Sequence, residues 1–140
     1  MISIKELRRS FGPIVAVDGI SFDVQKGQVL GFLGPNGAGK STVMRMLACF
    51  IRPDSGTATV CGYDILKNPL EVRKSIGYLA ENVPAYNDMT VGGLLNFVCD
   101  ARAIHGNDRK KALDRVVPMC SIDSVYHQAI ETLGFCRNGQ

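Results

Sequence analysis

The residues Gly34-Pro35-Asn36-Gly37-Ala38-Gly39-Lys40-Ser41-Thr42 have the types and spacing of a phosphate-binding loop, G-x-x-x-x-G-K-[ST]. Glycine lets backbone N–H groups turn toward phosphate oxygens without a Cβ in the way, and a helix starting at the end of the loop adds its partial positive charge. In such a loop Lys40 pairs with the β- and γ-phosphates, and the Ser41 hydroxyl helps to hold Mg²⁺.

That chemistry needs a strand before the loop and a helix after it. Val29-Leu30-Gly31-Phe32-Leu33 is a short apolar run of the kind shown by a parallel strand buried on both faces. Val43, Leu47 and Ile51, with Met46 and Phe50 beside them, recur at helical spacing. Upstream, Ile2 and Ile4, then Ile20, Phe22 and Val24, alternate with polar residues and read as half-buried antiparallel strands. The Gly12-Pro13 pair marks a loop between them and leaves Phe11 on it, as a core plug or as a stacking platform for a flat ring.

Downstream, Arg52 to Gly56 is a turn and Thr57 to Cys61 a β-branched strand. Pro69 to Ser75 suits a short helix. Ile76 to Ala80 is a second apolar run, followed directly by Glu81, and the carboxyl end of a strand is where an open α/β sheet places its ligand chemistry. Residues 82 to 88 read as loop. Thr90 is the expected cap of a helix with Val91, Leu94, Leu95 and Val98 as its apolar stripe, while Gly92 and Gly93 weaken its first turn by about 1 kcal/mol each relative to alanine. A further helix is expected from Asp108 to the break at Pro118. Arg109, Lys110 and Lys111 read as a solvated face of it, and His105 and His127 have no metal-ligand or triad partners.

With 140 residues, 46% apolar and 21% charged, the chain fits a soluble globular domain with a real core. A net charge of +3 is too small to argue for nucleic acid. Five widely spaced cysteines without a C-x-x-C pair indicate neither a disulfide framework nor zinc, and buried reduced thiols are expected. There is no apolar signal core and no run of 18 apolar residues to cross a bilayer, so the expected location is cytoplasmic, with any membrane link made through a partner.

Several protein classes share the loop. The D-x-x-G and [NT]-K-x-D sequences of a GTPase are absent. A small-molecule kinase stays open, because its further arginines have no firm spacing. Four blocks in order, Phe11 to Phe22, Gly34 to Thr42, Pro53 to Thr57, and Arg73 to Glu81 followed by Asp88 to Val91, resemble the N-terminal part of an ABC transporter ATP-binding subunit. The resemblance covers about Ile4 to Thr132. Ile76-Gly77-Tyr78-Leu79-Ala80-Glu81 is similar to subunits of the export type.

The resemblance implies an α/β, P-loop NTPase-like fold: an incomplete parallel sheet, an N-terminal antiparallel β subdomain and the start of a helical subdomain. Residues 1–81 would form the core and 82–133 the helical part, with 134–140 an atypical tail. It implies ATP and Mg²⁺ as ligands, with Phe11 stacking on adenine and Glu81 at the Q-loop position, where most members have glutamine. Its implied partners are a membrane permease subunit and a second ATP-binding subunit, at the inner face of the membrane.

The family's Walker B strand, catalytic glutamate and switch histidine have no counterpart in these residues, and its signature sequence does not occur in its usual form. Leu95 to Asp100 is an apolar run ending in an acid, but it falls on an expected helix. After Glu131-Thr132-Leu133 the sequence Gly134-Phe135-Cys136-Arg137-Asn138-Gly139-Gln140 leaves the family pattern. It reads as a truncated or frameshifted product, or as a degenerate signature at Asn138 to Gln140. Two functions follow as expectations: an ATPase-type subunit that powers export, or a nucleotide-binding fragment without turnover. A sheet without its inner strands is expected to leave the strand before the loop unpaired and its apolar surface exposed.

Overall fold

The computed structural model describes residues 1–80, 86 and 88–133, which divide into two compact units, Met1–Leu79 and Ala80–Gln140. In the first, alternation of apolar and polar residues builds a four-stranded antiparallel sheet in the order β2-β1-β3-β4. Its strands are β1 (Ile2–Phe11), β2 (Ile14–Val24), β3 (Ser55–Val60) and β4 (Tyr63–Asp64). Ile4 pairs with Phe22 on one side and with Ala58 on the other, so β1 is the central strand.

One face of the sheet supplies Ile4, Leu7, Val17, Ala58 and Val60 to the core. Helix α1 (Lys40–Leu47) covers it with Val43, Met46 and Leu47, joined by Ile65 and by Val72 from α2 (Pro69–Ser75). Helical spacing alone placed those apolar residues of α1 on one side, and the structure buries that side.

The hairpin is longer than its sequence suggests. Arg8, Arg9, Ser10 and Phe11 belong to β1, and only Gly12 and Pro13 form the turn, with Phe11 opposite Ile14. Phe11 therefore sits at a strand end and not on a loop. On β2 the register skips Ala16, since Arg9 faces Val17 and Ser10 faces Val15. Such a bulge re-aims the backbone of the strand that carries it.

The two apolar runs expected to be parallel strands are not strands. Residues 28–35 and 76–80 have no ladder partner, and the antiparallel sheet is the one sheet among the described residues. A strand exists by pairing, and neither run meets a neighbour that could complete its ladder. Phe32 packs on Phe22, with ring centroids 5.5 Å apart, yet Val29 and Leu33 are each 95% exposed. The exposed apolar surface expected from an incomplete sheet is thus present.

Asp64 closes β4. It accepts hydrogen bonds from the Leu66 and Lys67 backbone N–H groups at 2.8 and 3.0 Å and from Thr57 Oγ1 at 3.2 Å. The two backbone donors are the main reason its carboxyl lies below its ordinary value. A depressed carboxyl adds stability that is complete above the unfolded value, about 3.9, and is lost as pH falls through the folded one. Asp64→Asn is expected to lower the urea midpoint at pH 7, with the gap from the parent protein closing once the pH is well below about 4. A gap that persists in acid would assign the loss to packing instead.

In the second unit α3 (Val91–Ala101) is capped by Thr90, whose Oγ1 accepts from Gly93 N–H at 3.0 Å. The returning chain closes the same helix end: Val91 N–H donates to Gln128 O and Gly92 N–H to Tyr126 O. Gly92 and Cys99 are its buried residues, while Val98 of the expected stripe is exposed. A Cβ at Gly92 would overlap the Tyr126 ring, so this glycine serves a close approach as well as weakening the turn.

Helix α4 (Gly106–Met119) begins two residues before Asp108 and runs one residue past Pro118, where proline falls in the last turn. Arg109 is half-buried and does more than face solvent; it pairs with Asp100, the acid that ends the apolar run on α3, and donates to Ile104 O. Lys110 and Lys111 are exposed. The cysteines divide: Cys99 is buried and Cys49 half-buried, but Cys61 and Cys120 are exposed, correcting the expectation of buried thiols. Cys61 occupies the turn between β3 and β4, and Cys120 ends α4, where little can cover either. Burial pushes the Cys49 thiol up, against the opposite pull of the Arg73 guanidinium.

Candidate nucleotide site

The loop from Gly34 to Gly39 is exposed apart from its last residue, and it closes on itself before entering α1. Ala38 N–H donates to Pro35 O at 3.2 Å, and the Ala38 methyl lies against Gly34. Gly37 and Gly39 both have φ near +84° (84° and 83°), in the left-handed region open to glycine. Gly39 also meets β2: a Cβ there would overlap the Ala16 carbonyl, the residue at the bulge, and crowd Val17. The skipped residue of β2 thus faces the loop where it becomes helix.

Lys40 Nζ donates to Gly34 O at 2.6 Å and to Pro35 O at 2.7 Å, which ties the helix start to the opening of the loop. An ammonium has three N–H donors, so one remains for an acceptor in front of the loop. Ser41 is exposed at the first turn of α1, with Thr42 half-buried behind it; Asn36 lies exposed at the turn.

The starts of α1 and α3 differ in a way that matters. At α3 a threonine and the returning chain satisfy the first N–H groups. At α1 the cap is Gly39, which has no side chain to accept from the first turn, and that turn contains no acid. Unclaimed N–H groups with the positive end of the helix dipole behind them favour an anion.

Phe11 is 43% exposed. It pairs with Ile14, two residues along β2 from Ala16, so about 7 Å of strand separates it from the contact with Gly39. Hairpin and loop both lie in the first unit, and β2 meets the loop at Gly39. The Arg9 guanidinium lies 4.8 Å from the Phe11 ring centroid, a contact that placing Phe11 on a loop did not foresee. The signal was there, since residues i and i+2 share a face of a strand. Glu81 and the tail 134–140 lie outside the described residues, as does any test of the Mg²⁺ role given to Glu81. A cleft of about 580 Å³ in the second unit, between α4 and the Asp123–His127 segment, shares no residue with this site. Its charges are of both signs, as Lys110 and Asp114 show. Among the described residues no group of three His, Cys, Asp or Glu is placed to hold a metal, and no helix is long and apolar enough to cross a membrane.

Comparison with known proteins agrees with the loop geometry. Residues 17–135 match the family model described as ABC transporter. The chain is 33% identical over 133 residues to the probable multidrug ABC transporter ATP-binding protein YbhF of Escherichia coli, covering 95% of this chain and 23% of that protein. It is 34% identical over 140 residues to the doxorubicin resistance ATP-binding protein DrrA of Mycobacterium tuberculosis, covering 99% and 41%. The solved dimeric structure of MJ0796, a bacterial ABC transporter cassette, superposes with a TM-score of 0.80 at 18% identity, over 92% of this chain and 61% of that one. The chain thus spans between about a quarter and two-fifths of the length of these curated relatives. On the family match and the loop that carries it, this chain belongs to the ABC transporter family, as an ATP-binding domain of the P-loop NTPase fold.

Proposed function

We propose that this chain binds Mg-ATP as part of an ABC-type subunit of the export branch, which works with a membrane permease and a second ATP-binding subunit at the cytoplasmic face. The observation that carries the reading is the pairing of Lys40 with the Gly34 and Pro35 carbonyls in front of an uncapped α1. Gly34 to Thr42 would receive the phosphates and Phe11 the adenine. Residues 1–81 act as the nucleotide-binding core and 82–133 as the start of a helical part.

The residues fit the phosphate group: the glycine at the helix cap leaves N–H groups free, and the third Lys40 donor is available. Ser41, exposed beside them, would hold Mg²⁺ through its hydroxyl, together with Glu81 as a carboxylate ligand. Mg²⁺ held there would supply neutralisation of the phosphate charge. The names of the relatives support the export branch, since one is a probable multidrug protein and the other a doxorubicin resistance protein. The dimeric cassette supports a second ATP-binding subunit.

Turnover needs a group that positions or activates water. These residues offer no apolar strand ending in Asp-Glu, so the chain alone is expected to bind ATP without releasing phosphate. Titration with ATP and Mg²⁺, followed by a steady-state phosphate assay, tests both parts. Absence of binding would overturn the site reading, and sustained release would overturn the expectation of a binder without turnover.

A further inference from the structure

β3 begins at Ser55, opposite Arg8, so the last three residues of β1 run past the end of their neighbour on that side. Asp54 takes over where β3 stops. Its backbone N–H donates to Arg8 O at 2.9 Å, and its carboxylate accepts Ser10 N–H at 2.7 Å, as the next carbonyl of a ladder would. The other carboxylate oxygen accepts from the Arg9 guanidinium at 2.7 Å, and the same nitrogen donates to Arg52 O at 3.1 Å. The charge is anchored on one side and lies against Phe11 on the other.

Arg9 Nε is buried without a hydrogen-bond partner, an unfavourable position that needs an explanation. Contact of the guanidinium with the aromatic face supplies one, because a cation over a ring is attracted by the ring's electrons. Arg9 and Phe11 share a face of β1, so the guanidinium covers one side of the ring while 43% of the residue stays exposed.

We infer that Arg9, fixed by Asp54, is a positioning residue that holds the Phe11 ring at the hairpin end for stacking on a purine base. The inference rests on the proposed adenine role of Phe11 and adds what orients it. The turn after α1 thereby connects to the base end of the site: Asp54 grips Ser10 and Arg9, and Arg9 grips the ring. Stacking is tolerant of the base, so the device holds any purine nucleotide and contributes little to the choice between them.

The test compares ATP with inorganic tripolyphosphate, which engages the loop but has no base, by calorimetric titration of the full chain with Mg²⁺ present. Arg9→Gln is expected to weaken ATP about tenfold while leaving tripolyphosphate unchanged, and Arg9→Lys to recover part of the loss. In a Phe11→Ala background Arg9→Gln should cost ATP affinity nothing further, since the two act as one unit. Equal losses for both ligands, or losses that add in the double variant, would overturn the inference and leave the nucleotide site standing. Failure of the parent protein to bind either ligand would overturn the site reading itself, and this inference with it.

Discussion

Lys40→Ala is expected to abolish measurable ATP binding, an affinity loss of about a hundredfold or more, because it removes a charge-assisted hydrogen bond to phosphate. In the structure the ammonium holds the two ends of the loop together through Gly34 O and Pro35 O. Alanine would therefore remove the phosphate partner and slacken the cradle at once. Both carbonyls lie in exposed residues, so water replaces the lost donor and the melting temperature should hardly move. Arginine at the same position keeps the charge but brings a planar fork in place of a compact ammonium, and it is expected to restore little. Titration with ATP checks this, and an affinity unchanged by Lys40→Ala would remove the loop from the site.

Gly39→Ala is the second large effect, and it acts through the backbone. Gly39 has φ 83° and lies where any Cβ would overlap the Ala16 carbonyl. Left-handed strain and the forced separation of α1 from β2 together are expected to cost about 3 kcal/mol. The displaced helix start would carry Lys40 and Ser41 with it, so ATP affinity should fall alongside the urea midpoint. Gly37 offers the contrast. It has a similar φ of 84° but nothing within reach of an added Cβ, so Gly37→Ala should bear the strain alone and lose less stability. If the two substitutions behave alike, the contact with Ala16 is not what selects glycine at position 39.

These effects separate the loop's composition from its placement. The spacing Gly34 to Thr42 marked the candidate phosphate cradle, because each of its requirements is local: glycine at left-handed positions, an ammonium six residues after the first glycine, a hydroxyl at the helix start. Local rules also placed Thr90 as the cap of α3 and Pro69 at the start of α2, since caps and first turns involve residues a few positions apart. The antiparallel pairing of β1 and β2 followed from alternation in the same way, whereas the tightness of the turn between them did not.

What the sequence left open depended on contacts between distant residues. The residues around Phe11 allowed a plug or a platform, and only the structure showed the hairpin extending to it and Arg9 against its ring. Asp54 read as an ordinary turn residue, and its grip on Ser10 and Arg9 reaches across about 45 positions, as the separations of 44 and 45 show. The runs at 29–33 and 76–80 have the composition of buried strands, but composition cannot supply a neighbour, and among the described residues they pair with nothing.

By itself, then, the sequence determined the chemistry on offer: glycines, a lysine and a hydroxyl at the spacing of a phosphate-binding loop, with a helix after them but not the strand expected before them. Only the tertiary structure decided which glycine is pressed against β2, where the bulge at Ala16 aims its carbonyl, and which arginine holds the aromatic ring. The reason is physical. Backbone conformation and capping are set by residues near in sequence, whereas register, bulges and stacking partners are set by the packing of segments far apart along the chain.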